Sequence, residues 1–269
     1  MLSKLLKHEF RATGRIMLPV YLIMLLTAGM FNLFMRLANH YDAVALEIFR
    51  GLSAFLFGVT VFGSGVVTLC LMVYRFYKNY MTDEGYLMFT LPVTTAQLIW
   101  SKLIVAVAWT FITFLAMCLA VFVGTVGLGF WKELLPELSD AFSFILPEIP
   151  SGHLTAYIIE IVATALFSSL SSYLMFFAAI SLGHSFANHK ILYSVGFYIA
   201  FTIALQTVSS FAGIYGIVAA AQAEYNNKAL DPWVVSHVVS LGSLFFVVVA
   251  GVIFYLLTHT ALKKRLNLQ

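Results

Sequence analysis

Apolar residues in this chain neither alternate as on a half-buried strand nor recur on one helical stripe. They run on in blocks longer than a globular core element needs. Six blocks stand out, at about 17–35, 52–74, 103–128, 155–183, 191–220 and 235–261. A helix needs roughly 20 apolar residues to cross a hydrocarbon layer about 30 Å thick, and each block comes close to or exceeds that. Helix is the expected form because peptide groups buried in lipid must bond within their own segment. The alternating segments of about ten residues that make a membrane barrel do not occur. Several blocks exceed the minimum, which predicts tilted spans or ends that emerge from the membrane. The predicted fold class is all-α: a polytopic membrane protein of six transmembrane helices, forming one domain over 17–269.

The stretch at 1–16 is patterned differently. On a wheel of about 100° per residue, Lys4, Lys7, His8, Arg11 and Arg15 form one stripe. Leu2, Leu5, Leu6, Phe10 and Ile16 occupy the other side. This predicts an amphipathic helix lying in the interface, its basic face toward anionic lipid headgroups. An ordinary basic flank of the first span is the plainer alternative. Glu9 projects from the apolar side, where a bare carboxylate is costly. It calls for a partner, for which Arg75 or Lys78 at the end of the second block is the natural choice. The first block follows a long charged segment and ends without a small-residue cleavage site, so it reads as a retained anchor.

Composition sharpens the class. The 269 residues are 61% hydrophobic and 10% charged, with a mean hydropathy of +0.94. Soluble domains carry about 25% charged residues, so a water-soluble fold would lack the polar surface to cover these side chains. A net charge of +3 gives no reason to expect nucleic acid. The placement of charge is more informative. With the amino terminus inside, Lys4, Lys7, Arg11, Arg15, Arg75, Lys78, Lys102, Lys190, Lys263, Lys264 and Arg265 fall on the cytoplasmic side. Only Arg36, Arg50, Lys132 and Lys228 fall outside, so the 15 lysines and arginines divide 11 against 4. The positive-inside rule then places both termini in the cytoplasm of a multi-pass plasma-membrane protein. Glu133, Glu137, Asp140, Glu148, Glu224 and Asp231 fall outside, and Trp131, Trp233 and Trp100 fall near boundaries, as interfacial anchors do.

Two connections carry structure of their own. The outer one, FWKELLPELSDAFSFILPEIPSG, is amphipathic and broken by Pro136, Pro147 and Pro150, which predicts a short helix on the outer face. The inner one, RFYKNYMTDEGYLMFTLPVTTAQLIWSK over 75–102, has an acidic pair at Asp83 and Glu84 and a break at Gly85. Tyr86, Leu87, Met88, Phe89 and Leu91 are too apolar for a solvated linker and predict a short docked helix. Thr94 is placed to cap the third span, with Gln97 completing a capping box.

That inner connection is where the chain resembles a family: the membrane subunit of ATP-binding-cassette exporters of the six-helix, type-two permease class. DEGYLMFTLP, followed by a polar cap and a lysine, is similar to the coupling-helix loop of such permeases. LLKHEFRATGR at 5–15 is similar to their opening elbow helix, and LGHSFANHKILYSVGFY at 182–198 to the tight inner turn between spans four and five. The likeness extends through span number, loop lengths and the basic tail ALKKRLNLQ, and is strongest to permeases of Gram-positive bacteria. The resemblance implies a half-transporter whose ATP and magnesium are bound by a separate ATPase subunit. A second permease chain would pair with it, and Asp83, Glu84, Gly85 and Tyr86 would rest on the ATPase. The chain itself has no GxxxxGK[ST] phosphate loop; GTVGLGF at 124–130 lies within a span and lacks the lysine.

Candidate path residues fall into two stripes. Thr60, Ser64 and Thr68 share a face of the second span, and Thr202, Gln206, Ser209 or Ser210, and Gly213 share a face of the fifth. They line either a translocation path or a helix contact, since small and hydroxylated residues also mediate close helix packing. Gly58, Gly63 and Gly65, and the SSLSS run at 168–172, read as packing positions. Trp109 and Phe111 face lipid or substrate with equal ease. Glu160 is the intramembrane carboxylate, a functional candidate by default, with pairing to Lys132 or snorkelling as the alternative. The seven histidines are scattered, Cys70 and Cys118 sit singly in apolar runs, and no catalytic or metal-ligating constellation emerges. The apolar path points to hydrophobic or amphipathic cargo. An ion-coupled secondary transporter, or a sensor or immunity protein that moves nothing, is the competing function.

Overall fold

The computed structural model describes residues 2–82, 84–90, 92–145, 151–186, 188–225 and 232–264. Among them the regular elements are all helical: α1 (Leu2–His40), α2 (Val44–Met81), α3 (Glu84–Phe89), α4 (Thr95–Thr125), α5 (Phe130–Ile145), α6 (Ser151–Gly183), α7 (Lys190–Tyr225) and α8 (Pro232–Lys264). Six of these, α1, α2, α4, α6, α7 and α8, are long and apolar enough to cross a membrane. They coincide with the six apolar blocks, the architecture of a polytopic membrane protein.

Three boundaries differ from expectation. No break separates residues 2–16 from the first span, because α1 is continuous. Pro19 lies inside it, and its missing N–H releases the Arg15 carbonyl without ending the helix. α4 stops at Thr125 rather than 128, because Gly127 and Gly129 adopt φ of +76° and +87°. A Cβ at Gly127 would land on the Arg36 guanidinium, so that turn requires glycine in both conformation and space. Pro136 does not break the outer helix either; α5 runs through it to Ile145.

The chain divides into two compact units, Met1–Met72 with Ile104–Ile149, and Val73–Leu103 with Pro150–Gln269. In the first unit α1 and α4 run parallel and α2 antiparallel to both. Hydroxyl pairs recur among their contacts, beside ring stacks such as Phe31 on Phe57 and Phe34 on Phe49. Thr113 is the hub, its Oγ1 lying 2.7 Å from the Tyr21 hydroxyl and 2.8 Å from Thr68 Oγ1. Thr27 meets Thr60 at 2.7 Å. Trp109 donates its indole N–H to Thr13 Oγ1 at 2.7 Å, and Thr13 in turn donates to the Glu9 carbonyl. At the far end Asn32 donates to the Gly124 and Val126 carbonyls. The buried stripe of α1, Glu9, Thr13, Met17, Tyr21, Met24 and Ala28, keeps helical spacing throughout.

In the second unit α6 packs on both α7 and α8. α8 runs parallel to it at a near-constant offset, from Tyr157 beside Ser236 to Ser171 beside Gly251. α7 returns antiparallel to α6, with Phe176 stacked on Tyr198 at 4.6 Å. The start of α7 presses so closely on Gly183 that a Cβ there would overlap the Ser194 side chain and backbone nitrogen.

Two changes test these contacts. Thr113→Val removes the hydroxyl bonded to both Tyr21 and Thr68 and should cost about 0.5–1.5 kcal/mol for each bond lost. This reads as a lowered thermal midpoint in detergent; Thr202→Val, bonded only to its own helix, should be near neutral. Gly183→Ala should cost about 1–3 kcal/mol through overpacking, whereas Gly196→Ala, with no neighbour within 4 Å, should leave the same hairpin unharmed.

Candidate functional site

The connection after α2 is built at both edges. Before α3, Thr82 donates to the Lys78 carbonyl at 2.5 Å, and the Gly85 N–H donates to the Thr82 carbonyl at 2.7 Å. Lys78 pairs with Glu84 across 3.1 Å. Both side chains are about half exposed, so the pair orients more than it stabilises. After α3, the Thr94 N–H donates to Gln97 Oε1 and the Gln97 N–H to Thr94 Oγ1, each at 3.3 Å, a reciprocal capping box for α4. Gly85 is buried and Glu84 exposed. Asp83 lies outside the described residues, and Tyr86 is described in its backbone only.

The end of α2, which precedes α3 in the chain, is anchored by aromatics. Phe76 stacks on Phe177 of α6 at 3.9 Å and meets Tyr80 edge-on at 5.1 Å. The Tyr80 hydroxyl donates to the Leu98 carbonyl of α4 at 3.0 Å, and the Lys102 ammonium lies over the Tyr80 ring. Phe76 and Tyr80 are fully buried. His184, just after α6, meets Tyr77 edge-on and bonds the Ile180 carbonyl at 2.9 Å. Burial pushes its imidazole below the ordinary histidine range; the Ile180 bond opposes this and the Lys190 charge adds to it.

The two path stripes separate. Thr60, Ser64 and Thr68 are spent on packing: Thr60 on Thr27, Ser64 on the Val61 carbonyl, Thr68 on Ser64 and Thr113. Thr202, Gln206, Ser209 and Ser210 lie exposed on α7. Gly65 lies against Met117, whereas a Cβ at Gly58 or Gly63 would meet nothing within 4 Å. Trp109 faces neither lipid nor substrate; it is buried against Phe10 and Thr13, while Phe111 is exposed. Glu9 is buried on the packed face of α1, whereas Lys4, Lys7, His8, Arg11 and Arg15 border one exposed recess. Arg75 is half-buried near the end of α2.

Glu160 has a partner that sequence reading missed. It is 8% exposed, and its Oε1 lies 2.8 Å from His237 Nδ1. His237 Nε2 lies 2.9 Å from His153 Nδ1. Tyr157 stacks on His237 at 4.2 Å and its hydroxyl bonds Ser236, while Trp233 stacks on His153. His237 lies 77 positions from Glu160, and periodicity within one helix carries no signal for a contact made by another. No group of three metal-binding side chains occurs among the described residues. No family model matches the chain, and neither does any curated protein or solved structure.

His184 supplies a pH test. Its folded value is lowered, so its contribution to stability is complete above the unfolded histidine value near 6.5 and is lost as pH falls through the folded value. The thermal midpoint should therefore drop on acidification from pH 7.5 to 5, and His184→Gln should remove part of that drop.

Proposed function

We propose that this chain is the permease subunit of an ATP-binding-cassette exporter, moving a hydrophobic or amphipathic substrate with energy from a separate ATPase subunit. The observation that carries the reading is the foot at α3. The six-residue helix is tied to the end of α2 by the Gly85–Thr82 bond and the Lys78–Glu84 pair. A short connection joins it to the capped start of α4, so motion of α3 bears on the ends of both α2 and α4. The Phe76–Phe177 stack couples that motion to α6. A push on Glu84 and its neighbours Asp83, Gly85 and Tyr86 then reaches three long helices, which is what a chain without a phosphate loop requires of a motor.

The distribution of basic residues supports a plasma-membrane protein with cytoplasmic termini and the foot on the same side. The basic recess at the start of α1 suits contact with anionic headgroups at the end of the first span. The polar face of α7, bare along Thr202, Gln206 and Ser210, supports pairing with a second permease chain. The groove between α7 and α8, lined by Phe201, Leu205, Val208, Phe246 and Ile253, offers only apolar surface and suits greasy cargo. The buried Glu160–His237 pair favours a second reading, an ion-coupled secondary transporter, because such pairs mark ion pathways in membranes.

Purification of the tagged chain from its native membrane separates the two. The expected result is a stoichiometric ATPase subunit, lost from the complex in Asp83→Ala/Glu84→Ala while the variant remains folded. Transport by the purified chain alone in liposomes, driven by an ion gradient, would overturn the ATPase-coupled reading.

A further inference from the structure

We propose that His153, His237 and Glu160 form a proton relay that carries a proton from the surface of α6 to a carboxylate buried in its membrane span. The inference depends on neither transport reading, because it rests on the geometry of α6 and α8 alone.

Both nitrogens of His237 are engaged, one toward a carboxylate oxygen and one toward another imidazole, at 2.8 and 2.9 Å. An imidazole bonded at both ends passes a proton by accepting at one nitrogen and releasing from the other, with no movement of heavy atoms. With Glu160 ionised, the chain is polarised inward: His153 Nδ1–H donates to His237 Nε2, and His237 Nδ1–H donates to Glu160 Oε1. A proton arriving at His153 Nε2, which has no hydrogen-bond partner among the described residues, displaces the one on Nδ1 to His237 Nε2. His237 then releases its Nδ1 proton to Glu160. The products are a neutral carboxylic acid and two neutral imidazoles in the opposite tautomers, every hydrogen bond reversed. One proton enters and one carboxylate is neutralised.

The surroundings suit this use. His153 is partly exposed at the third position of α6, whereas Glu160 is more than nine-tenths buried two turns further in. Among the described residues only two side-chain donors, His237 and Ser240, face Glu160, and its Oε2 is buried without a hydrogen bond of ordinary geometry. Tyr157 stacks on His237 and Trp233 on His153. The other groups facing the cluster are neutral: Tyr157 from α6, and Ser236 and Ser240 from α8. On α7, Lys190 lies beside His184 at the opposite end of α6, Tyr193 and Tyr198 pair with Phe186 and Phe176, and Tyr215 is exposed. No described cation competes with the incoming proton. Because α6 and α8 meet at Glu160 and His237, the proton also converts their contact from an ion pair or charge-assisted bond to a neutral one.

The test is infrared difference spectroscopy on the full chain in lipid nanodiscs after a rapid pH drop from 8 to 5. The wild type should develop a protonated-carboxyl C=O band that Glu160→Gln abolishes. His153→Gln should slow the appearance of that band by roughly tenfold or more while leaving its final amplitude. His237→Gln, which interrupts the wire, should slow it at least as much. Circular dichroism at pH 8 checks that each variant is folded, and His153→Gln alone decides the matter should His237→Gln fail to fold. Absence of a Glu160-dependent band, or an unchanged rate in His153→Gln, would overturn the relay.

Discussion

Helices in hydrocarbon gain little by burying one apolar face against another, because lipid tails are as apolar as leucine. Whatever holds this chain together must therefore be something lipid cannot offer, and in the first unit it is the hydroxyl hydrogen bond. Thr113 joins Tyr21 of α1 to Thr68 of α2, and Thr27–Thr60 and Trp109–Thr13 repeat the device on either side. Each is modest by itself, but the positions recur on one face of each helix and so fix both rotation and register. In the second unit close approach takes over: Gly251 against Ser171, Gly183 against Ser194, and ring stacking along the α2–α6 seam.

This division bears on function. A unit held by hydroxyl pairs has definite neighbours and a definite register, whereas most of α7 is left uncovered, its apolar and polar residues alike exposed. A bare helix with hydroxyls and an amide along one side is incomplete in lipid, and a second membrane chain is the covering the proposed assembly supplies. The foot at α3 has the opposite character. Its flanking bonds and the buried Phe76 and Tyr80 give the end of α2 and the start of α4 fixed partners, as the proposed coupling would require.

The carboxylate of Glu160 stands apart from both. An ionisable group inside a span is expensive, and this one is retained with a histidine on one oxygen and the Ser240 hydroxyl facing it. A purely structural contact would be cheaper as an amide or an apolar pair. The second histidine in line at 2.9 Å makes the arrangement a pathway with a direction, from the partly exposed start of α6 inward.

The amino-acid sequence by itself determined the solvent, the secondary structure and the number of spans. Six apolar runs of the necessary length admit only helices, and the Thr94–Gln97 box was legible because capping is local, three residues apart. The break expected at Pro136 and the separation of residues 1–16 from the first span did not appear, because one lost hydrogen bond does not outweigh the rest of a long helix. Tertiary structure alone decided which polar residues have partners. Thr60, Ser64 and Thr68 carry the same stripe whether they face a path or a neighbour, and only the positions of Tyr21, Thr27 and Thr113 distinguish the two. For Glu160 the sequence suggested Lys132, and the partner is His237. Partner choice between helices depends on rotation and offset, which no pattern within a single helix encodes.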